Sequence, residues 1–366
     1  EPLTLNFHRT DHKDGSATYL REYLRKYLMA TRPERKDYAS WNYAQFVTDS
    51  ILWNTDPLYG WCNKNFKKDG SPYNVYSDGL KVFTTVDSRM QRYAEEAVYQ
   101  HVARYLQPAF SKEVSRKPSS PYSDKLTPKQ IKAILNRSVT QCERYRQMKE
   151  AGCSAEEIHD TFRKKIPMTV FTYHGDIDTL MSPLDSIRYY KTFLRSGFMS
   201  MDPKTGAVKA YVGGLDYTHF MYDMVSLGRR QVGSTIKPFL YSLAMENGFS
   251  PCDLAPNRQQ TYMVAGRPWT PRNANHSRYG QMVPLSWGLA QSSNWVSAYL
   301  MSKLNPQQFV QMLHDFGINS PDIHASMSLC LGPCEVSVSE MVSAYTVFAN
   351  HGIRTAPMFV SRIEDN

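Results

Sequence analysis

Apolar positions along the 366-residue chain follow two spacings, and the change between them marks the elements. Tyr19, Leu20, Tyr23, Leu24, Tyr27 and Leu28 recur at helical spacing, with Arg21, Glu22, Arg25 and Lys26 between them. That pattern predicts an amphipathic helix. From about Asn54 to Val75 the residues turn to Gly, Pro, Asn and Lys, and loops are expected. Asp78-Gly79 is a turn signal, and Leu80 to Val86 is a β-rich run. Asp87-Ser88 opens a helix in which Ser88 and Gln91 have capping-box spacing. Its stripe is Met90, Ala94, Ala97, Val98, Val102, Tyr105 and Leu106, and Pro108 is expected to end it. Residues 108–166 read as a polar, irregular insertion with one helix from Lys129 to Met148. A β-like run near Met168 to Tyr173 and a short helix from Asp185 to Leu194 follow.

The next stretch predicts a hairpin. Gly197 to Met201 and Ala207 to Val212 are its strands, joined by Asp202-Pro203-Lys204-Thr205-Gly206. Pro presets φ early in a turn and Gly accepts positive φ late in one. Beyond Gly233 the pattern is mostly helical. Ser337 and Glu340 form a capping box, Met341, Ala344, Tyr345 and Phe348 the stripe behind it, and Gly352 the stop. A last strand runs from Met358 to Ile363. Strands interleaved with helices in this order predict an α/β or α+β domain, an antiparallel sheet covered by helices.

Composition narrows the classes. Hydrophobic residues make up 42% and charged residues 21%, as in an ordered globular protein. Aromatics at 13% suit large packed surfaces or a groove for an extended ligand. The net charge of +9 admits nucleic acid, a membrane surface, an anionic polymer, or merely scattered solvated Lys and Arg. No zinc-finger spacing, arginine-rich tract or RNP-like motif supports nucleic acid. No apolar run approaches the roughly 18 residues that span a bilayer, and no signal peptide opens the chain. Six cysteines are too few for a disulfide scaffold. Cys330-Leu331-Gly332-Pro333-Cys334 has no second pair or His cluster to complete a metal site, and its bland reading is a pair of small buried hydrophobes. No metal or cofactor is expected.

The chemistry centres on Arg230-Gln231-Val232-Gly233-Ser234-Thr235-Ile236-Lys237-Pro238-Phe239. Ser234 and Lys237 are three apart, so at a helix start they share a face. A serine hydroxyl needs an adjacent base to become a nucleophile, and a buried, neutral lysine can be that base. The helix N-terminus adds partial positive charge where an oxyanion would form. Gly233 allows close backbone approach. Pro238 disfavours helical geometry at Lys237, so a tight or 3₁₀ first turn is expected. The bland reading of the same residues is an N-cap serine and a solvated lysine. Downstream, Ser292-Ser293-Asn294 offers a second hydroxyl and a carboxamide, able to relay protons and hold a substrate amide. Its bland reading is also a helix cap.

Taken together, these motifs resemble the transpeptidase part of a class A penicillin-binding protein. The similarity runs over most of Ser77 to Asn366. It rests on Gly79 through Asp87 with Gln91 and Ala94-Glu95, Asp202-Pro203 through Gly213-Gly214, Arg230 through Phe239, Trp269-Thr270-Pro271-Arg272-Asn273, Leu289 through Asn294, and Ala344 through Gly352. The resemblance implies the fold shared with serine β-lactamases and a D,D-transpeptidase activity. Ser234 would attack the penultimate D-Ala carbonyl of a peptidoglycan stem peptide, with Lys237 as general base. Ser292 would shuttle a proton and Asn294 bind the substrate amide, while Trp269 and Asn273 line the cleft. A neighbouring stem amine would resolve the acyl-enzyme, and β-lactams would acylate Ser234. It implies no cofactor and no nucleic acid.

The family also carries a Lys-Thr/Ser-Gly strand after Ser-x-Asn. Here Lys204-Thr205-Gly206 comes before Ser234, in a hairpin turn. The catalytic counterpart is therefore expected beyond Asn366. Residues 1–76 are expected to be the linker after a glycosyltransferase domain and membrane helix outside this chain, and 77–366 the transpeptidase domain, in a bacterial cell envelope. The abrupt start at Glu1-Pro2-Leu3 and the abrupt end at Asn366 read as those of a fragment. Two alternatives stay open: a D,D-carboxypeptidase or β-lactamase that passes the acyl group to water, and a silent penicillin-binding scaffold or sensor.

Overall fold

A computed structural model describes residues 15–117, 119–320 and 323–365. The chain's first and last residues, on which the expected fragment ends lie, are outside them. Two compact units emerge. Of the described residues, the first comprises those within 15–92, 197–213 and 222–365, and the second those within 93–196 and 214–221.

In the first unit the amphipathic helix forms at Thr18–Leu28, with Leu20, Leu24 and Leu28 buried. Its Tyr23 ring packs 5.4 Å from Tyr27 and 5.3 Å from Phe359. Strand Lys81–Thr84 pairs antiparallel with Val360–Glu364, and Phe198–Met201 pairs antiparallel with Val208–Val212. Backbone bonds stitch the two pairs together: Val208 N–H donates to Met358 O at 3.0 Å, and Thr85 N–H to Phe359 O at 3.0 Å. The expected hairpin and final strand are therefore neighbours.

The helical part of this unit holds the core beneath the candidate site. Helices Lys237–Glu246, Asn294–Met301, Pro306–Asp315 and Val338–Ala349 bury Phe239, Leu240, Val296, Leu300, Phe309, Leu313 and Ala344. Each large side chain so buried contributes about 1.5–3 kcal/mol. Ser337 caps the last helix reciprocally with Glu340, as its spacing predicts.

Two expectations about the helix Ser88–Tyr99 fail. The Ser88/Gln91 capping box is absent. Asp87 takes the cap, its carboxylate accepting from Arg89 and Met90 N–H. The Gln91 amide turns inward instead and brackets the Tyr211 main chain, donating to its O at 2.9 Å and accepting from its N–H at 2.7 Å. Nor does Pro108 end the helix. Wide i→i+5 turns at Gln100–Leu106 intervene, and Pro108 opens a fresh segment, Gln107–Val114. At a first turn its missing N–H costs nothing.

The second unit is more regular than its polar composition suggests. The single helix expected at Lys129–Met148 is broken after Thr140 into Pro128–Thr140 and Glu143–Glu150, and a third helix, Ala155–Arg163, follows. A hairpin pairs Ile166–Val170 with Ile177–Met181. Phe171, Phe193 and Phe220 cluster with centroids 5.1–5.7 Å apart, and the Arg195 guanidinium sits 3.7 Å over the Phe220 ring. No helix among the described residues is long and apolar enough to cross a membrane.

Candidate active site

The site begins with a strand pair. Arg229–Gln231 runs antiparallel to Glu335–Ser337, with Gln231 opposite Glu335. The pairing continues past the strands: Val232 N–H donates to Cys334 O and Gly233 N–H to Gly332 O, both at 3.0 Å. Segment 330–334 thus backs the turn that carries Ser234. A Cβ at Gly332, where φ is +63°, would overlap the Gly233 carbonyl oxygen and stand 2.7 Å from its nitrogen.

Gly233–Ile236 is a 3₁₀ turn, and Lys237–Glu246 continues it as an α-helix. The expected tight first turn is present, yet Lys237 itself is helical, at φ −60° and ψ −40°. Pro238 is accommodated because it falls in the first turn of the α segment. Tyr345 O–H donates to Thr235 O at 2.7 Å and ties the turn to the Val338–Ala349 helix.

Ser234 is exposed and Lys237, one turn on, is 1% exposed. The solvated-lysine reading therefore fails. The Lys237 ammonium donates to Ser292 O at 2.6 Å, Ser292 Oγ at 3.1 Å and Asn294 Oδ1 at 2.7 Å. Three donors meet three acceptors, and the Ser234 hydroxyl is not among them. The acceptors favour the charged amine, but burial prevails and pushes the Lys237 pKa down from 10.5 to about 8.

Ser292 presents both oxygens to Lys237 from a left-handed backbone, φ +51°. Non-glycine residues hold that conformation at a cost of about 1–3 kcal/mol. The capping reading of Ser-x-Asn holds for Ser293 alone: its buried hydroxyl accepts from Val296 N–H and donates to Asn257 Oδ1 at 3.1 Å. Asn294 is fixed on three sides. Its N–H donates to Asn273 Oδ1 at 3.0 Å, its Nδ2 to Arg272 O at 2.8 Å, and its Oδ1 accepts from Lys237.

The structure brings Lys237, Ser292 and Asn294 together, with Ser234 one turn before Lys237 on the same helix start, and adds Asn273 as a support for Asn294. Trp269 makes no hydrogen bond to this group; its ring packs 6.2 Å from Tyr262, its partner across the strand pair Tyr262–Val264 and Arg267–Trp269. Sequence reasoning missed Gly332. Of the two readings of Cys330 and Cys334, the small buried hydrophobe holds: both are buried. Cys330 lies within electrostatic reach of Lys237, and burial pushes its thiol up to about 12.

Comparison with known proteins identifies the family. Residues 117–194 match the family model described as penicillin-binding protein middle domain, and 196–366 the one described as penicillin binding protein transpeptidase domain. The middle-domain match covers most of the stretch expected to be an insertion. Penicillin-binding protein 1A of Neisseria flavescens is 28% identical over 331 residues, 82% of this chain and 40% of that protein. Penicillin-binding protein 2D of Bacillus subtilis (strain 168) is 35% identical over 174 residues, 47% of this chain and 25% of that protein. The chain therefore spans less than half the length of these curated relatives. In structure it is similar to penicillin-binding protein 1A of Haemophilus influenzae, with a TM-score of 0.54 at 21% identity, covering 90% of this chain and 49% of that one. With two of its models matched one after the other, the chain belongs to the penicillin-binding protein family, and its residues 196–366 are a transpeptidase domain of that family.

Proposed function

We propose that this domain is a serine D,D-transpeptidase with Ser234 as nucleophile. The observation that carries the reading is the buried, pKa-depressed Lys237 held between Ser292 and Asn294, one turn from an exposed serine. On substrate binding, neutral Lys237 exchanges an acceptor for the Ser234 hydroxyl and takes its proton as Oγ attacks the penultimate D-Ala carbonyl. The Ser234 N–H, at the opening of the 3₁₀ turn, faces the developing oxyanion. The C–N bond breaks, Ser292 passes its proton to the departing D-Ala amine and takes the one held on Lys237, and an ester on Ser234 remains. A stem-peptide amine then attacks the ester, forms the cross-link and gives up its own proton, which restores the Ser234 hydroxyl. Asn294 holds the donor peptide amide; Asn273 and Trp269 shape the cleft around it. A β-lactam acylates Ser234 by the same first step.

The full-length protein, on this reading, works at the outer face of a bacterial inner membrane. There a membrane helix anchors it and a glycosyltransferase domain supplies glycan strands. Incubation with fluorescent penicillin, followed by peptide mass mapping, tests the proposal. A long-lived adduct on Ser234, absent in Ser234→Ala, is expected. Rapid hydrolysis of the β-lactam would replace the transpeptidase with a hydrolase. No adduct in the full-length protein would leave a silent scaffold.

A further inference from the structure

The second unit holds an open cavity of about 950 Å³ that the acyl-transfer chemistry does not use. Two helices turn their apolar stripes into it. Ile131, Leu135 and Val139 come from Pro128–Thr140 at four-residue intervals, and Ala155, Ile158 and Phe162 from Ala155–Arg163 at three and four. Leu135, Ile158 and Phe162 are buried at its floor. The groove is open to solvent, and a contiguous apolar surface of this kind marks a docking site.

Its charge is one-sided. Lys132, Arg163 and Arg188 line the cavity, one from each of three helices, and no Asp or Glu does. Arg188 is held by Asp185 at 2.7 Å. His159 also lines it, and lies 3.4 Å from Asp160 on its own helix. Lys132 and Arg163 are exposed and have no acidic partner among the described residues.

We infer that this groove receives an amphipathic helix with acidic flanks, contributed by a partner protein. Stripes at three- and four-residue spacing are the surface into which the apolar face of a helix lays its i, i+3, i+4 and i+7 side chains. Pro128 also lines the groove, and from it to Val139 the lining extends about 17 Å at 1.5 Å per residue, the length of three helical turns. The two unpaired cations select acidic flanks and repel basic ones.

The test uses two fluorescein-labelled synthetic peptides of about four helical turns. Both carry Leu at helical spacing; one has Glu on its flanks and the other Lys. Each is titrated into the full chain by anisotropy. The Glu peptide is expected to bind at least about tenfold more tightly than its Lys twin, and less so in high salt. Lys132→Glu combined with Arg163→Glu should reverse the preference. Both residues are exposed, and an unchanged melting curve would confirm that the double variant folds. Binding of neither peptide at millimolar concentration would overturn the inference. So would a preference that the double variant leaves intact, or a fluorescent fatty acid that occupies the cavity and resists displacement by the Glu peptide. None of these outcomes depends on penicillin acylation at Ser234, which is measured separately.

Discussion

Gly332 and Gly233 lie main chain against main chain: the Gly233 N–H donates to Gly332 O at 3.0 Å, and Gly332 has no room for a Cβ on that side. Gly332→Ala should therefore shift the turn that aims Ser234 and slow penicillin acylation by about tenfold or more, the scale expected when a nucleophile is misplaced. Gly248→Ala is the control. Its φ of +88° imposes comparable backbone strain, but nothing lies within 4 Å of the added Cβ. Equal acylation rates in the two variants would deny Gly332 a positioning role.

Acylation should rise with pH through about 8, because the proposed base, Lys237, can take a proton only when neutral and its pKa is held near there. Below that value the rate should fall about tenfold per pH unit. Lys237→Arg should lose acylation by at least about a hundredfold, because a guanidinium stays charged at every workable pH. A flat stopped-flow profile from pH 6 to 9 would remove Lys237 as the base.

Lys204→Ala should acylate at nearly the native rate. The Lys204-Thr205-Gly206 turn is built by Asp202, whose carboxylate accepts from Lys204 and Thr205 N–H at 2.9 Å each. Gly206→Ala, by contrast, should lower the melting temperature. Its φ is +78°, and a Cβ there would overlap the Ala356 carbonyl oxygen. A Lys204→Ala loss as large as that of Lys237→Ala would make the triplet catalytic after all.

Gln91→Leu should destabilise the first unit by about 1–3 kcal/mol, since it strands the buried Tyr211 N–H and C=O that the amide satisfies. Chemical denaturation of the variant measures this directly. A change under about 0.5 kcal/mol would mean that other groups satisfy the Tyr211 main chain.

Local patterning carried much of this architecture. The helical stripe around Leu24, the hairpin around Asp202 and the Ser337 cap depend on residues a few positions apart, and each formed where its spacing indicates. Ser234 and Lys237 were legible for the same reason. Burial of Lys237 was not, because it depends on a core assembled from Leu240, Val296 and Leu300. Gln91 shows the opposite failure: its spacing from Ser88 fits a cap, but a partner 120 residues away in sequence claims its amide. Gly332 left no local trace at all. Its role arises only when Glu335 pairs with Gln231 across 104 residues of sequence.

That pairing makes chain length a functional quantity. Between Gly332 and Glu335 stand only Pro333 and Cys334. Their side chains could be exchanged for others of similar volume and leave the pairing intact. Deleting or inserting a single residue there would slide the strand by one position and carry Gly332 away from Gly233. The spacer works as a ruler, so variation in this loop should be tolerated in composition and refused in length.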